Sequence, residues 1–375
     1  MAVDRGTPVW LRTVNDRTAF RLLLEHGPLS RSQLGELSGM SKPTAGQMIQ
    51  RLERLGLIAP MGETAGARGP HAVAYGVRTD SLTGVAISIL ADRIEAVLVD
   101  PTDADHPVAT IPTTGERSPA ADVLGAAAAA CAAAGVSQES VSVVVVGVQA
   151  AVDADVDRLS FTDTLPGWPE TGARGHLEQV TGMAVILDND VNLATMAERA
   201  AGSAGEVSDF VHLWLGQGLG AGVDIGGVLQ HGASGSAGEI GYLEVPRSAI
   251  AIDPEATDYT DLLGEQAVRA LLGGADLTAA LSRLPGNEPA LVSLAERVAP
   301  LIQLLAAVLD PACVVLGGPT GVAGGKRLAA LVQERIDDRL PIRPSRAGGQ
   351  AVLLGARRLL VESIRTRLED RIKEN

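Results

Sequence analysis

Residues 29–56 read LSRSQLGELSGMSKPTAGQMIQRLERLG, and this stretch decides how the first part of the chain folds. Ser30 is placed to cap a short helix over residues 31–38, and a glycine turn follows. Ser41 then caps a second helix that runs to about Leu55. A short helix, a glycine turn and a longer helix are typical of a helix-turn-helix module.

The second helix of this module has two distinct sides. Ile49, Leu52 and Leu55 form its inward stripe, and polar side chains occupy the outward positions. Glutamine, lysine and arginine match the acceptors that base edges and phosphates present in a major groove. The residues predicted to contact DNA are Arg31, Ser41, Lys42, Pro43, Thr44, Gln47, Gln50, Arg51 and Arg68. A three-helix module used for protein contact is the alternative.

The flanking segments complete a winged module over residues 1–80. A helical period over Thr7–His26 precedes the helix-turn-helix, and two strands around a Gly- and Ala-rich tip follow it. Arg68 at that tip could enter a minor groove. Gly46 inside the second helix costs about 1 kcal/mol relative to alanine. Either this glycine permits close approach of the helix to the DNA backbone, or it is only tolerated there.

Charge separates the same region from the rest of the chain. Residues 1–80 carry ten Lys/Arg and seven Asp/Glu, so their net charge is +3, whereas the other 295 residues carry −17. This asymmetry favours an anion-binding head on an acidic body, although a solvated charged face explains it equally well.

Composition excludes several classes of protein. Two cysteines in 375 residues exclude a disulfide scaffold, and both lie in apolar settings typical of buried thiols. The first residues lack the apolar stretch of a signal peptide, and no apolar run reaches the roughly 18 residues that span a bilayer. We therefore expect a soluble cytoplasmic protein without membrane contact.

From Ser81 onward, strands alternate with helices in two successive blocks, which predicts two α/β lobes with a cleft between them. We assign residues 81–195 to the first lobe and residues 196–375 to the second, including the C-terminal helix. The apolar face of that helix either packs back on the first lobe or pairs between subunits. A further helix is expected over Lys326–Leu340, and the glycine-rich segments 216–227 and 317–325 are interpreted mainly as tight turns.

Five short motifs appear in a fixed order along this body. They are LPGW at 165–168, LDNDVN at 187–192, LGQGLGAG at 215–222, GSAGEIG at 235–241 and LGGP at 316–319. The ordered set resembles the ROK family of repressors and sugar kinases, and the winged head resembles that of its transcriptional regulators. The resemblance implies an α/β fold: an N-terminal winged helix-turn-helix followed by a two-lobed, actin-like and sugar-kinase-like body.

The resemblance also implies a sugar site in the cleft. In family members that bind sugars, an Asn-Asp pair and the glutamate of a Gly-Glu-Ile-Gly-His motif hydrogen-bond the hydroxyls, and these roles fall on Asn189, Asp190 and Glu239. Tyr242 stands where the family has histidine, and Gln149 stands where a Pro-Gly pair is common. Both could bind a hydroxyl, but together they imply an altered or a lost pocket. Asp258 and Asp261 are weaker candidates.

Two departures from the family pattern argue against chemistry at this site. The Asp-x-Gly-x-Thr loop that holds ATP phosphates in the family's kinases is replaced by residues 84–92, GVAISILAD, so kinase activity is not expected. The zinc-binding cysteine cluster is also missing, because residues 246–263 contain neither Cys nor His. Tetrahedral zinc needs about four nitrogen or sulfur ligands. We expect neither a metal nor another cofactor.

The sequence therefore predicts a DNA-binding transcriptional regulator, a repressor, that senses a sugar or sugar derivative and binds double-stranded operator DNA as a homodimer or a dimer of dimers. The alternative is a regulator that has lost ligand sensing and acts constitutively or through a protein partner. A sugar kinase with an accessory head is the third and least favoured hypothesis.

Overall fold

A computed structural model describes residues 7–64, 72–90, 92–113, 117–162, 165–247 and 252–374. Within these residues, the head consists of three helices and a three-stranded antiparallel sheet in the order β1-β3-β2. Its elements are α1 (Pro8–His26), β1 (Leu29–Ser30), α2 (Arg31–Ser38), α3 (Lys42–Arg54), β2 (Ile58–Thr64) and β3 (Ala72–Val77).

Both predicted caps of the helix-turn-helix are confirmed. Ser30 and Gln33 form a reciprocal capping box at the start of α2, and the Ser41 hydroxyl accepts the amide of Thr44 at 3.4 Å. Gly39 ends α2 in the left-handed region, at a φ of 69°. These local signals lie within a few residues of each other, so the sequence specifies the turn without help from the body.

The first lobe is built on a five-stranded mixed sheet in the order β10-β7-β4-β5-β6, where β7 runs parallel to both β4 and β10. The strands of the lobe are β4 (Thr83–Ile89), β5 (Arg93–Val99), β6 (Ala109–Pro112), β7 (Val141–Val148) and β10 (Ala184–Asn189), with a ribbon of β8 (Ala151–Asp153) and β9 (Arg158–Ser160). Two helices, α4 (Pro119–Ala134) and α5 (Ala173–Thr181), pack on one face of this sheet.

The second lobe has a similar sheet in the order β13-β12-β11-β14-β15. Its strands are β11 (Phe210–Leu215), β12 (Leu219–Ile225), β13 (Val228–Leu229), β14 (Val314–Gly317) and β15 (Ile342–Pro344). The helices from this part of the chain are α6 (Asp190–Ala201), which joins the lobes, α7 (Tyr259–Leu263), α8 (Glu265–Leu272), α9 (Leu277–Leu281), α10 (Glu288–Leu309), α11 (Gly318–Gln333) and the C-terminal α12 (Ala351–Lys373).

The expected start of a helix at Lys326 follows the kink at Gly325, where two helical segments join within α11, but this helix ends at Gln333 and not at Leu340. The glycines of segment 317–325 lie at or in this helix, so their interpretation as tight turns is wrong. A Cβ at Gly318 would meet the backbone of Leu215, and one at Gly321 would meet the backbone of Leu316. These glycines allow the helix to pack closely on the sheet, and only Gly325, at a φ of 51°, interrupts its helical backbone.

The C-terminal helix α12 packs back on the sheet of the first lobe and along α6, which is the first of the two alternatives expected for its apolar face, although the range 196–375 groups it with the second lobe. At Gly355 it approaches the backbone of Leu193 so closely that a Cβ would not fit. The expected boundary at residues 195 and 196 lies inside the continuous helix α6. A helix at the end of the chain can return to an earlier lobe at no topological cost, and its periodicity does not identify the partner.

Among the helices of the described residues, one, α10, is long and apolar enough to cross a membrane by length and composition. Nine of its residues are buried, and they belong to the hydrophobic core of the second lobe together with residues of α11. This packing accounts for its apolar composition.

The head is fastened to the body through α1 and α12. Phe20 and Leu23 of α1 share one hydrophobic cluster with Leu368 and Ile372 of α12. Beside them, the buried carboxylate of Glu369 accepts hydrogen bonds from Arg17 at 2.8 Å and from Arg21 at 2.6 Å. Although burial favours the neutral acid, these hydrogen bonds and positive charges hold the pKa of Glu369 below its ordinary value.

Candidate functional site

The outward side of α3 is open to solvent. Ser41, Lys42, Pro43, Gln47 and Gln50 are exposed, whereas Thr44 is half-buried. The opposite side is packed into the head by Ala45, Met48, Ile49 and Leu52, and Leu55 is half-buried. The body therefore leaves the polar side of the helix uncovered.

The N-terminal end of α3 presents several hydrogen-bonding groups together. The Ser41 and Thr44 hydroxyls lie 2.9 Å apart, and Lys42 begins the helix beside them. The first turn of a helix offers unpaired backbone amides and the positive end of its dipole. This end of α3 has the chemistry of a phosphate contact.

Arg51 does not belong to this open surface. Its guanidinium donates two hydrogen bonds of 2.6 Å to the carboxylate of Asp16 in α1, and its side chain is only 17% exposed. The structure gives Arg51 a structural role, because the pair ties α3 to α1, and a DNA contact by its side chain stays a prediction. The sequence contains one indication of this pair, because Asp16 lies among the apolar positions of α1 that face the core.

Of the two other arginines predicted to contact DNA, the structure describes Arg31 but not Arg68. Arg31 begins α2, remains exposed and donates a hydrogen bond of 3.1 Å to the Tyr75 hydroxyl, so it lies where α2 meets the wing strand β3. Arg68 lies outside the described residues, as does the tip of the wing.

A second candidate site is a cavity of about 310 Å³ between the two lobes. The carboxyl ends of β7 and β10 and the start of α6 form its first-lobe side, and residues near 217–221 and 237–242 form its second-lobe side. All five predicted ligand residues line it, as do Asp258 and Asp261. The lining residues that were not predicted from the sequence include Phe161, Trp214, Gln217 and Thr260.

Asn189 is largely committed to the fold. Its Oδ1 accepts the amides of Val191 at 2.8 Å and Asn192 at 3.1 Å, and its Nδ2 donates to the carbonyl of Ala150 at 3.0 Å. It is the N-cap of α6, so its first effect is to fix where Asp190 begins that helix.

Asp190 is 5% exposed, and its Oδ1 accepts the amide of Val191 at 2.8 Å. Burial raises the pKa of Asp190 to about 7, and the nearby charge of Glu239 acts in the same direction. Burial also raises the pKa of Glu239. Near neutral pH the pair can both accept and donate hydrogen bonds, which suits a ligand with several hydroxyl groups.

Aromatic side chains from both lobes meet at the edge of the cavity. Phe161 follows β9 in the first lobe, Tyr242 lies in the second, and their ring centroids are 4.8 Å apart with planes tilted by 31°. Tyr242 therefore lies at the predicted site but packs on an aromatic ring. Gln149 lines the same cavity near the end of β7.

Two segments depart from the family pattern, namely residues 84–92, which replace the phosphate-binding loop, and residues 246–263, which lack the zinc ligands. In each of them, hydrogen bonds between nearby residues hold the backbone. The turn between β4 and β5 is closed by a 2.9 Å bond from the Leu90 amide to the Arg93 carbonyl, and the Asp92 carboxylate pairs with Arg93 at 3.0 Å. In the second lobe, backbone hydrogen bonds from Val245 to Thr257 and from Tyr259 to Leu243 close the segment before α7. Within the described ranges, no group of three or more His, Cys, Asp or Glu side chains could hold a metal ion.

Family comparison agrees with this architecture. The model of the ROK family matches residues 85–362, and a model of winged helix-turn-helix DNA-binding domains matches residues 12–59. The chain belongs to the ROK family.

Individual relatives of this ROK protein are distant. The xylose repressor of Bacillus subtilis (strain 168) is 20% identical over 249 residues, which cover 65% of this chain and 63% of the repressor. The chain thus spans less than two thirds of the length of the curated relatives that it matches first.

Two solved structures show how far the fold is shared. A ROK family transcriptional regulator, a homologue of the E. coli MLC protein, superposes with a TM-score of 0.69 at 17% identity and covers 97% of this chain and 100% of its own. The ROK hexokinase of Thermus thermophilus superposes with a TM-score of 0.58 at 25% identity, over 75% of this chain and 100% of its own. The regulator's match extends over the head as well as the body.

Proposed function

We propose that this ROK protein is a DNA-binding transcriptional repressor that acts in the cytoplasm and is controlled by a sugar-type effector in the interlobe cavity. The observation that carries the proposal is the open polar side of α3 in a winged head, held away from the body by the α1–α12 junction. The similarity to xylose repressors supports the sign of regulation. No phosphoryl transfer is proposed, because the β4–β5 turn lacks a phosphate-binding loop.

The exposed residues of the head divide into two proposed roles. Ser41, Lys42 and Thr44 at the start of α3 would contact phosphates and fix the register of the helix in the major groove. Gln47 and Gln50 project from the same side further along, where amide groups can read adenine edges. Arg31 and Arg68 are proposed as further contacts from α2 and the wing.

Control by an effector needs two conformations with unequal affinity for the ligand. Helix α6 begins at Asp190 in the cavity and packs along α12, whose far end holds α1 of the head. A ligand that changes the lobe closure would therefore act on the element that carries the head. We propose a homodimer or a dimer of dimers, since two heads are needed to read two half-sites.

DNA binding is tested by fluorescence anisotropy with duplexes from the gene's own promoter at several salt concentrations. Gln47→Ala and Gln50→Ala are each expected to cost about 1–3 kcal/mol of specific binding without changing thermal stability. Gln138→Ala, an exposed glutamine of the first lobe, is the matched control. A chain that binds no promoter duplex in a salt-sensitive, sequence-preferring manner contradicts the proposal.

Effector control is tested separately, by adding sugars to the protein–DNA complex. A sugar that lowers operator affinity and raises the melting temperature supports sensing, because a ligand at about 100 times its Kd stabilises the folded state by roughly 2.7 kcal/mol. DNA binding that no sugar alters favours the alternative of a regulator that has lost sensing. Coupled ATP turnover with a hexose panel is expected to show no activity.

A further inference from the structure

The charges around the cavity are of one sign. Four carboxylates line it, from Asp190, Glu239, Asp258 and Asp261, whereas no Lys, Arg or His is found among its described lining residues. The adjoining cavity contains Arg269, which is already paired with Glu265 at 3.7 Å. An anionic substituent on a ligand would face several carboxylates at short range, which costs several kcal/mol of affinity.

One of these carboxylates is buried, and no cation among the described lining residues balances it. Asp190 is 95% buried, its Oδ1 is bonded to a backbone amide, and no described residue donates to its Oδ2. A buried acid in this state requires a hydrogen-bonding partner, and a hydroxyl group can both donate to it and accept from it. A phosphate or carboxylate of the ligand in the same place would have no proton to donate to Asp190 and would face the other carboxylates of the cavity.

The aromatic pair at the cavity edge supplies the complementary apolar contact. The chain has only nine aromatic residues, and Phe161 and Tyr242 are the two that are more than a third exposed, at 42% and 51%. Phe161 also adopts a φ of 57°, which is unfavourable for a bulky side chain and is typical of ligand clamps. Two exposed rings at the junction of both lobes form a surface on which the C–H face of a sugar ring can pack.

We infer that the effector is a sugar without any anionic substituent, and that one face of its ring packs against the Phe161–Tyr242 pair while its hydroxyls bond to Asp190 and Glu239. This inference rests on the proposed sensing function. It excludes sugar phosphates and uronic acids as effectors, so the ligand must be a transported, unphosphorylated sugar or the product of a hydrolytic step. The same geometry assigns Phe161 and Tyr242 as determinants of ligand specificity.

The charge rule is tested by calorimetric titration of the full chain with xylose, glucose, galactose and N-acetylglucosamine, each beside its own monophosphate. At least one uncharged sugar is expected to bind, and its monophosphate to bind at least about 100-fold more weakly. A monophosphate that binds within about tenfold of its parent sugar overturns the inference, and so does a panel in which nothing binds. DNA anisotropy on the same sample shows whether the repressor function has failed as well.

Two N-cap aspartates give a matched pair of variants for the charge effect. Asp258 caps α7 at the cavity and Asp276 caps α9 elsewhere in the second lobe, and asparagine preserves a cap at either position. Asp258→Asn is expected to reduce the preference against the monophosphate several-fold, and Asp276→Asn to leave it unchanged. An unchanged preference in the Asp258→Asn protein contradicts the electrostatic origin.

The aromatic contact is tested at Tyr242. Tyr242→Ala is expected to weaken binding of the preferred sugar about three- to tenfold, and Tyr242→Phe to retain most of the affinity. Thermal unfolding without sugar reports whether the fold has changed. If both variants bind sugar as the unmodified chain does, the ring pair has no part in recognition.

Discussion

Buried carboxylates in the head and at its junction with the body are held by arginines, whereas the one buried carboxylate among the described cavity residues, Asp190, has no cation in the cavity lining. Asp16 pairs with Arg51 inside the head, and Glu369 pairs with Arg17 and Arg21 where the head meets the body. Asp190 is equally buried, and its one hydrogen bond with the described residues comes from a backbone amide, with another acid, Glu239, nearby. The first arrangement stabilises the fold, and the second reduces stability to leave acceptors for a ligand.

The largest expected effect is at Asp190, where the fold bears an unpaired acid. Because its pKa of about 7 lies above its ordinary value, its contribution to stability is complete below about pH 4 and is lost progressively up to pH 7. Asp190→Asn should therefore be more stable than the unmodified chain at pH 8, by a free energy on the order of 4 kcal/mol. The gain should vanish near pH 4.

Chemical denaturation at pH 4, 6 and 8 measures this difference, and sugar binding should be lost in the same variant. Asp155→Asn, at an exposed aspartate, is the control and should show no such pH dependence. A variant less stable than the unmodified chain at pH 8 would mean that Asp190 is held by a favourable partner, and the contrast with the head would fail.

The next effect is expected at Asp16, in the opposite direction. Asp16→Ala leaves the Arg51 guanidinium without its partner in a largely buried position, so the free energy of unfolding should fall by about 3 kcal/mol. DNA affinity should fall for all sequences alike, because α3 loses its attachment to α1. Glu25→Ala, at an exposed acid of the same helix, should change neither quantity appreciably. Chemical denaturation measures the free energy of unfolding of both variants, and fluorescence anisotropy measures their DNA affinity. Equal values for the two variants would contradict the prediction.

A smaller loss is expected at Glu369, since both of its arginines are partly exposed. Glu369→Gln should lower the free energy of unfolding by about 1–2 kcal/mol. The depressed pKa of Glu369 gives the pH dependence opposite to that of Asp190: the contribution is present above about pH 4.5 and is lost in acid. Asp370→Asn, at the neighbouring half-exposed aspartate that pairs with Lys373 within α12, is the matched control. Equal losses in the two variants would remove any special role for the junction.

The smallest effect concerns the open side of the head. Gly46 lies inside α3 with no atom within 4 Å of a Cβ built on it, so Gly46→Ala should raise the free energy of unfolding by about 0.5–1 kcal/mol. Gly125→Ala in α4, an equally open helical glycine, should give a similar gain. If DNA affinity falls only in the Gly46→Ala protein, the glycine serves close approach to the duplex. Unchanged affinity means that it is merely tolerated there.

The parts of the molecule that could be predicted are those specified by neighbouring residues. The caps Ser30 and Ser41 match their expected positions, because each depends on hydrogen bonds between residues that are close in the sequence. The motif that contains Asp190 was identified by resemblance, and its place at the end of a parallel strand brings it to the cleft.

The sequence by itself thus determined the winged head, the two α/β lobes and the acidic residues of the cavity, since these follow from short-range patterns and ordered motifs. Only the tertiary structure decided that Arg51 binds Asp16, that α12 returns to the first lobe and carries the head, and that Phe161 meets Tyr242 across the cleft. The physical reason is that each of these contacts joins residues far apart in the chain. Helical or strand periodicity states which side of an element is buried, but not which distant element buries it.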